Sequence, residues 1–282
     1  MKCALVQFAP RLGLVDQNLQ THQAYIEKAI KAEARLIIFP ELSLTGYTLK
    51  DLVAEVALKP GLDPRLEGIK ELSKKIDVVC GLVEEKEKGL FYNSAVYFSE
   101  GQILHVHRKV FLPTFGLFEE GKFFASGRTF RVFPTSFGRV GLLICRDFLH
   151  YGASYLLMAD KIDLILVISA APGRGMSEQA GFASSEMWEL MAKAISRFST
   201  AFVIYCNRVG FEDGVAFAGG SFSFDPWGKL IERAPDLEES FFIVDLNLDE
   251  LNRARRTWSF LRDDKPEVIF QSLSRLLAKN ED

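Results

Sequence analysis

Along this chain, short continuous apolar runs alternate with longer stretches in which apolar residues recur every three or four positions. The first kind reads as buried strand and the second as amphipathic helix. Lys2–Phe8 is the first predicted strand. Leu19, Ile26 and Ile30 give Asn18–Ala34 helical spacing, and Leu36–Phe39 is a short strand that stops at Pro40-Glu41. Leu66–Lys75 predicts a helix and Asp77–Leu82 a strand. Asn93–Phe98 and Gln102–Arg108 predict two strands joined by a hairpin turn at Ser99-Glu100-Gly101. Val140–Ile144 is a strand stopping at Cys145, Tyr155–Asp160 is helical, and Leu164–Ser169 is a strand. Ala183–Phe198 predicts a long helix and Phe202–Cys206 a strand. A second hairpin runs from Gly220–Phe224 across Asp225-Pro226-Trp227-Gly228 into Lys229–Glu232, and Phe241–Val244 is the last predicted strand.

Strands alternating with helices argue for α/β layers, and the hairpins require mixed rather than purely parallel sheets. No Pro/Gly/Ser-rich linker, repeat or low-complexity segment divides the chain. The simplest parse is one domain over residues 1–247 followed by a helical tail over 248–282. That tail carries Leu251, Ile269, Leu273 and Leu277 among many charges, so it is expected to cover the core or a partner subunit.

Composition narrows the class. Hydrophobic residues make up 48% of the 282 positions and charged residues 25%, an ordinary globular balance for a chain long enough to bury a large core. The formal net charge of -3 and the absence of a basic run argue against a nucleic-acid partner. No apolar run reaches the roughly 18 residues that span a bilayer. Met1-Lys2 leads straight into Cys3–Phe8, too short for an export signal, so a cytoplasmic protein is expected, with no membrane partner. Cys3, Cys80, Cys145 and Cys206 form no C-x-x-C pair, which suits free thiols in a reducing compartment. The four histidines are too scattered for a metal site. His105 and His107 share one strand face, expected to be exposed.

Three apolar strands each deliver a reactive side chain at their ends: Glu41 after Leu36–Pro40, Lys109 after His105–Arg108, and Cys145 after Gly141–Ile144. Strand ends are where α/β folds bind ligands. Singly, such residues are more often a cap, a solvated charge and a small buried hydrophobe. Together they have a chemical use. A thiolate attacks a carbonyl and forms a thioester. A carboxylate takes the thiol proton, passes it to the departing amine and then activates water. A fixed cation, with a backbone N–H beside the nucleophile, stabilises the oxyanion. None of these steps calls for a metal or an organic cofactor.

The segments Phe39-Pro40-Glu41-Leu42-Ser43-Leu44-Thr45-Gly46-Tyr47, His107-Arg108-Lys109-Val110-Phe111-Leu112-Pro113 and Gly141-Leu142-Leu143-Ile144-Cys145-Arg146-Asp147 resemble the glutamate, lysine and cysteine motifs of the nitrilase (carbon–nitrogen hydrolase) superfamily. Lys109 follows Glu41 by 68 residues and Cys145 follows Lys109 by 36, spacings that agree with that family. The resemblance continues through Cys206–Gly214, Phe217–Ser221 and Asp225-Pro226-Trp227-Gly228, and so covers residues 1 to about 247. It implies a four-layer α-β-β-α sandwich with two mixed β-sheets, catalytic Glu41, Lys109 and Cys145, and a second glutamate, placed at Glu120. It also implies a homo-dimer or higher homo-oligomer. Tyr47, Phe115, Arg146, Ser169 and Ala171 are the expected substrate-binding residues, with Ser169–Gly175 as a pocket wall.

Within the superfamily, Leu112–Phe118 resembles the glutaminase domain of NAD synthetases. Those carry a tyrosine where this chain has Phe115 and a glutamate where it has Arg146. A cation there opposes the α-ammonium group of glutamine. Arg146 has two readings: it reads an acceptor on the substrate, or it pairs with Asp147 or Glu120. His150 either lines the pocket or closes its loop. The expected function is a small-molecule amidase working through a Cys145 thioester and releasing ammonia or an amine. The alternatives are a glutaminase or N-carbamoyl hydrolase, and a non-catalytic scaffold, against which the intact set of Glu41, Lys109 and Cys145 argues. A thiol oxidoreductase would need a resolving cysteine nearby, and a metallohydrolase a ligand cluster.

Overall fold

The computed structural model describes residues 1–175 and 182–279. Fourteen strands are found among them: β1 Lys2–Gln7, β2 Leu36–Ile38, β3 Asp77–Glu87, β4 Leu90–Ser99, β5 Gln102–Arg108, β6 Val132–Thr135, β7 Gly138–Ile144, β8 Leu164–Ser169, β9 Phe202–Asn207, β10 Val209–Glu212, β11 Val215–Ala218, β12 Phe222–Phe224, β13 Leu230–Arg233 and β14 Ser240–Asp245. They form two six-stranded sheets, ordered β14-β1-β2-β3-β4-β5 and β13-β12-β9-β8-β7-β6, with β10-β11 as a separate hairpin. In the first sheet β1, β2 and β3 run parallel and the flanking strands antiparallel. In the second, β7, β8 and β9 are the parallel centre. Both sheets are therefore mixed, as the hairpin signals require.

The period-two alternation of side chains sorts the strands onto two faces. Cys3, Leu5, Leu36, Ile38, Val79 and Tyr97 join Leu142, Ile144, Leu166 and Ile204 in one core between the sheets. Ala4, Val6, Ile37, Val78 and Cys80 point the other way, against Leu19, Ile26 and Ala29 of the helix Val15–Lys31 and Ile69 of the helix Glu67–Leu72. On the far side of the second sheet lie the helices Tyr151–Ala159 and Ala183–Ser199, which contribute Leu157, Trp188 and Ala192. Helix, sheet, sheet, helix is the four-layer sandwich. Each large aliphatic side chain buried in it contributes about 1.5–3 kcal/mol.

Three strands escape the hydrophobic pattern. β6 contains Pro134, which a sheet tolerates at an edge, and β6 is the edge strand beside β7. β10 and β11 form a hairpin across Asp213-Gly214, both at positive φ (50° and 79°), and β11 also bridges to Pro172 through Phe217. The turn between β4 and β5 narrows to Glu100-Gly101 at φ 52° and 79°, the two-residue geometry whose twist matches its strands. One expectation fails outright. The face carrying His105 and His107 is covered: His107 is buried, and His105 stacks on Phe133 at 4.5 Å between ring centroids.

The tail divides in two. The helix Asp249–Thr257 buries Leu251 and Ala254 against the core, whereas Pro266–Ala278 buries none of its side chains and exposes Phe270, Leu273, Leu276 and Leu277. Among the described residues no helix is long and apolar enough to cross a membrane.

Candidate active site

Glu41 enters on the turn that follows β2. The chain there passes so close to β3 that a Cβ at Gly81 would lie 2.3 Å from the Leu42 amide nitrogen. Only glycine allows that approach. Ser43 anchors the same turn: its Oγ accepts the Gly81 amide at 3.2 Å and lies 2.9 Å from His22 Nε2. Burial lowers the His22 pKa to about 3, so the ring is a neutral strut. With its backbone held, the Glu41 side chain is fully buried and fully bonded. Oε1 accepts from Asn93 Nδ2 and Lys109 Nζ, each at 2.7 Å, and Oε2 accepts the Ala170 amide at 2.7 Å.

Lys109 follows β5 and points its ammonium between two carboxylates. It donates to Glu41 Oε1 and to Glu120 Oε1, both at 2.7 Å. Glu120 Oε1 also accepts from Tyr47 Oη at 2.5 Å, while its Oε2 is buried without a hydrogen-bond partner among the described residues. Burial works against the charged lysine, but Glu120 and Glu41 outweigh it and hold the pKa above its ordinary value. Burial, with Glu41 adding to it against the pull of Lys109, raises Glu120 to about 7. Tyr47 is fixed in turn, because Glu212 Oε1 accepts its amide at 2.9 Å and Glu212 Oε2 pairs with buried Arg208 at 2.7 Å.

Cys145 stands where β7 breaks into a short 3-10 turn, Cys145–Leu149, with φ at +44°. A non-glycine residue held there is strained, which marks a site that the surrounding structure over-determines. The fastening is Asp147. Its Oδ1 accepts the amides of Val110 and Phe111 at 3.0 and 2.9 Å, and its Oδ2 lies 2.8 Å from His107 Nε2 and accepts the Ile144 amide at 3.3 Å. One carboxylate thus ties the cysteine turn of one sheet to the lysine segment of the other. Cys145 and Arg146 open the 3-10 turn, so their amide N–H groups have no partner within it. Burial and the nearby Glu41 push the Cys145 thiol up to about 12, against Lys109 and a hydrogen bond from Ser169.

The sequence profile of the family described as carbon–nitrogen hydrolase matches residues 2–256. The chain belongs to the carbon–nitrogen hydrolase family. Among this family's curated proteins it is 31% identical to a glutamine-dependent NAD(+) synthetase of Acinetobacter baylyi, over 88% of this chain but only 44% of that one. The chain therefore spans less than half the length of that relative. It is also 31% identical to an (R)-stereoselective amidase of Pseudomonas sp., over 93% of this chain and 91% of that one. Among solved structures, a carbon–nitrogen hydrolase of Helicobacter pylori G27 superposes with a TM-score of 0.86 at 24% identity, covering 97% of this chain and 98% of that one.

In this carbon–nitrogen hydrolase, Cys145 opens onto a small cavity of about 140 Å³ with Phe115, Phe118, Arg146, Leu149, Ala171, Arg174 and Trp188 among its walls. Three expected substrate residues, Phe115, Arg146 and Ala171, therefore share this cavity with Cys145. Ser169 lies behind it, accepting from Tyr205 Oη at 3.1 Å, and Tyr47 sits beside Glu120 rather than in this cavity. His150 stacks on Phe111 at 3.6 Å and borders a neighbouring surface cleft, so it is Leu149 that lines the cavity. The pairing considered for Arg146 does not form. Asp147 and Glu120 are engaged elsewhere, and the Arg146 guanidinium lies over the Phe115 ring at 5.2 Å.

Asn93 and Ala170, which bond Glu41, and Asp147, which fastens the Cys145 turn, are positions whose place in the site sequence reasoning did not foresee. Asn93 opens a predicted strand and Asp147 closes the cysteine motif, so a polar residue at an apolar strand end was the available signal. Ala170 acts through its backbone and carries none. Among the described residues no group of three or more His, Cys, Asp or Glu side chains is placed to hold a metal ion.

Proposed function

We propose that the protein is a small-molecule amidase that works through a thioester on Cys145. The observation that carries this reading is the buried bridge in which Lys109 spans Glu41 and Glu120 beside the strained Cys145 turn. A thiol raised to about 12 is protonated at neutral pH, so the nucleophile needs a base at the moment of attack. Glu41 is the carboxylate in reach of that role. As Sγ bonds to the amide carbon, the thiol proton passes to Glu41 and the carbonyl oxygen becomes an oxyanion. Lys109 Nζ and the Arg146 amide N–H stabilise it. Collapse breaks the C–N bond, and Glu41 returns the proton to the leaving ammonia or amine. Glu41 then takes a proton from water, which attacks the thioester and frees the acid and the thiol. Glu120 keeps Lys109 charged and aimed, and its unpartnered Oε2 is an acceptor for the substrate amide N–H.

Ammonia release measured over a panel of small amides, carbamoyl amino acids and glutamine tests this reading. The expected result is turnover of at least one simple amide, lost in Cys145→Ala with an unchanged circular dichroism spectrum. Full turnover without Cys145 would end the mechanism.

A further inference from the structure

The cavity at Cys145 has a charge pattern that the hydrolytic machinery does not use. Arg146 and Arg174 both line it, and among the described residues no acidic side chain does. Each guanidinium rests on an aromatic ring, Arg146 over Phe115 at 5.2 Å and Arg174 over Phe118 at 4.8 Å, and the two rings meet edge to face at 5.6 Å. Neither arginine has an ion pair among the described residues. Asp147, beside Arg146, is occupied by His107 and the Val110 and Phe111 amides, and Glu119, beside Phe118, by Lys122. Aromatic stacking pre-orders a guanidinium while leaving its N–H edge free to bind a planar anion. Leu149, Met187, Trp188, Pro113 and Pro172 make apolar walls, and Ser184 is the one hydroxyl residue among the described lining.

We infer that Arg146 and Arg174 form a carboxylate clamp at the mouth of this cavity, and that the substrate is a monoamide of a dicarboxylic acid without a free amino group. This rests on the amidase reading for the position of the amide, which lies at Cys145 with the apolar spacer along Leu149, Met187 and Trp188. The carboxylate then meets the two guanidiniums. An α-ammonium group would find two cations and, among the described residues, no anionic side chain, so glutamine is disfavoured by the same features that admit the anion. The reaction consumes one water and yields the dicarboxylate and ammonia.

Two measurements separate the clamp from the chemistry. In Cys145→Ala, calorimetry compares monoamides of four- to six-carbon dicarboxylic acids with neutral amides of equal chain length and with glutamine. At least one anionic amide is expected to bind about tenfold or more tightly than its neutral counterpart and than glutamine, the scale of one charge-assisted hydrogen bond. In the wild type, kcat/KM for ammonia release should follow the same order. Arg174→Ala should lower kcat/KM for the anionic amide about tenfold more than for the neutral one, chiefly through KM. Equal binding of anionic and neutral amides, or an equal loss on both in Arg174→Ala, would overturn the clamp. Preferential binding without any ammonia release would keep the clamp and overturn the amidase reading instead.

Discussion

The C-terminal ends of β7 and β9 lie in one sheet with only β8 between them, and each carries a buried cysteine. Burial pushes both thiols up to about 12. By thiol acidity and exposure they are near twins. They differ in what surrounds them. Cys206 is extended strand, with its sulfur 3.4 Å from the Val6 carbonyl oxygen and 3.3 Å from that of Ile38. Cys145 is lifted off its strand at positive φ, beside Glu41 and Lys109 and at the floor of a cavity. A perturbed thiol is thus not in itself a nucleophile. On the proposed reading a base, a cation and an entrance make it one, and of these two strands β7 alone ends beside Glu41, Lys109 and a cavity.

The largest expected effect comes from exchanging each cysteine for alanine. Cys145→Ala should lower kcat by about 10⁴-fold or more, as loss of a covalent nucleophile does. Cys206→Ala should hold its rate within a few-fold and instead lose about 1–2 kcal/mol of stability in a urea titration, as a small core deletion does. A comparable loss of turnover in both variants would break the comparison. Next in size is Glu41→Gln, which leaves a polar partner for Asn93 and Lys109 but removes the base. A drop of about 10²–10⁴-fold in ammonia release is expected, with an unchanged melting temperature to within a few degrees. A variant as active as the parent would remove Glu41 from the proton path.

A third expectation concerns alkylation. Because the folded-state thiol lies near 12, its thiolate fraction grows tenfold per pH unit between pH 7 and 10. Iodoacetamide labelling of Cys145 should rise with unit slope over that window and run at least about tenfold faster than at Cys206, which is fully buried. A plateau near the ordinary thiol value would mean a thiolate already stabilised at rest. The smallest expected effect is on the pH profile. Glu120 is raised to about 7, so it loses its proton as pH rises through that region and only then gives Lys109 its second anion. The acid limb of kcat should carry an apparent midpoint near 7, and Glu120→Gln should erase that midpoint while lowering the rate. A limb that persists unshifted in Glu120→Gln would belong to another group.

Much of this was legible along the chain, for a physical reason. Strand and helix periods are local, so apolar spacing located β1, β5, β8 and the helix Ala183–Ser199 within a residue or so. Reactive residues at strand ends are local too, and Glu41, Lys109 and Cys145 stood out because each interrupts an apolar run. The failures share a cause. β6 hides behind Pro134, and β10 and β11 are too short and too mixed to show a period. His107 read as exposed because a strand's own pattern does not reveal what packs on its second face.

The sequence by itself therefore determined the alternation of elements, the α/β class and the identity of three reactive side chains, since these depend on neighbours within a few positions. Only the tertiary structure decided that Lys109 lies 2.7 Å from both Glu41 and Glu120, because contacts across 68 and 11 residues depend on the order of β2 and β5 within one sheet and on how the segment after β5 folds back. It also decided that Asp147 ties the sheets together rather than pairing with Arg146. Four hydrogen-bond donors from β5, the segment after it and the end of β7 converge on one carboxylate and occupy its acceptor positions, so the adjacent guanidinium is not its partner. That left Arg146 free to lie over Phe115 and face the cavity.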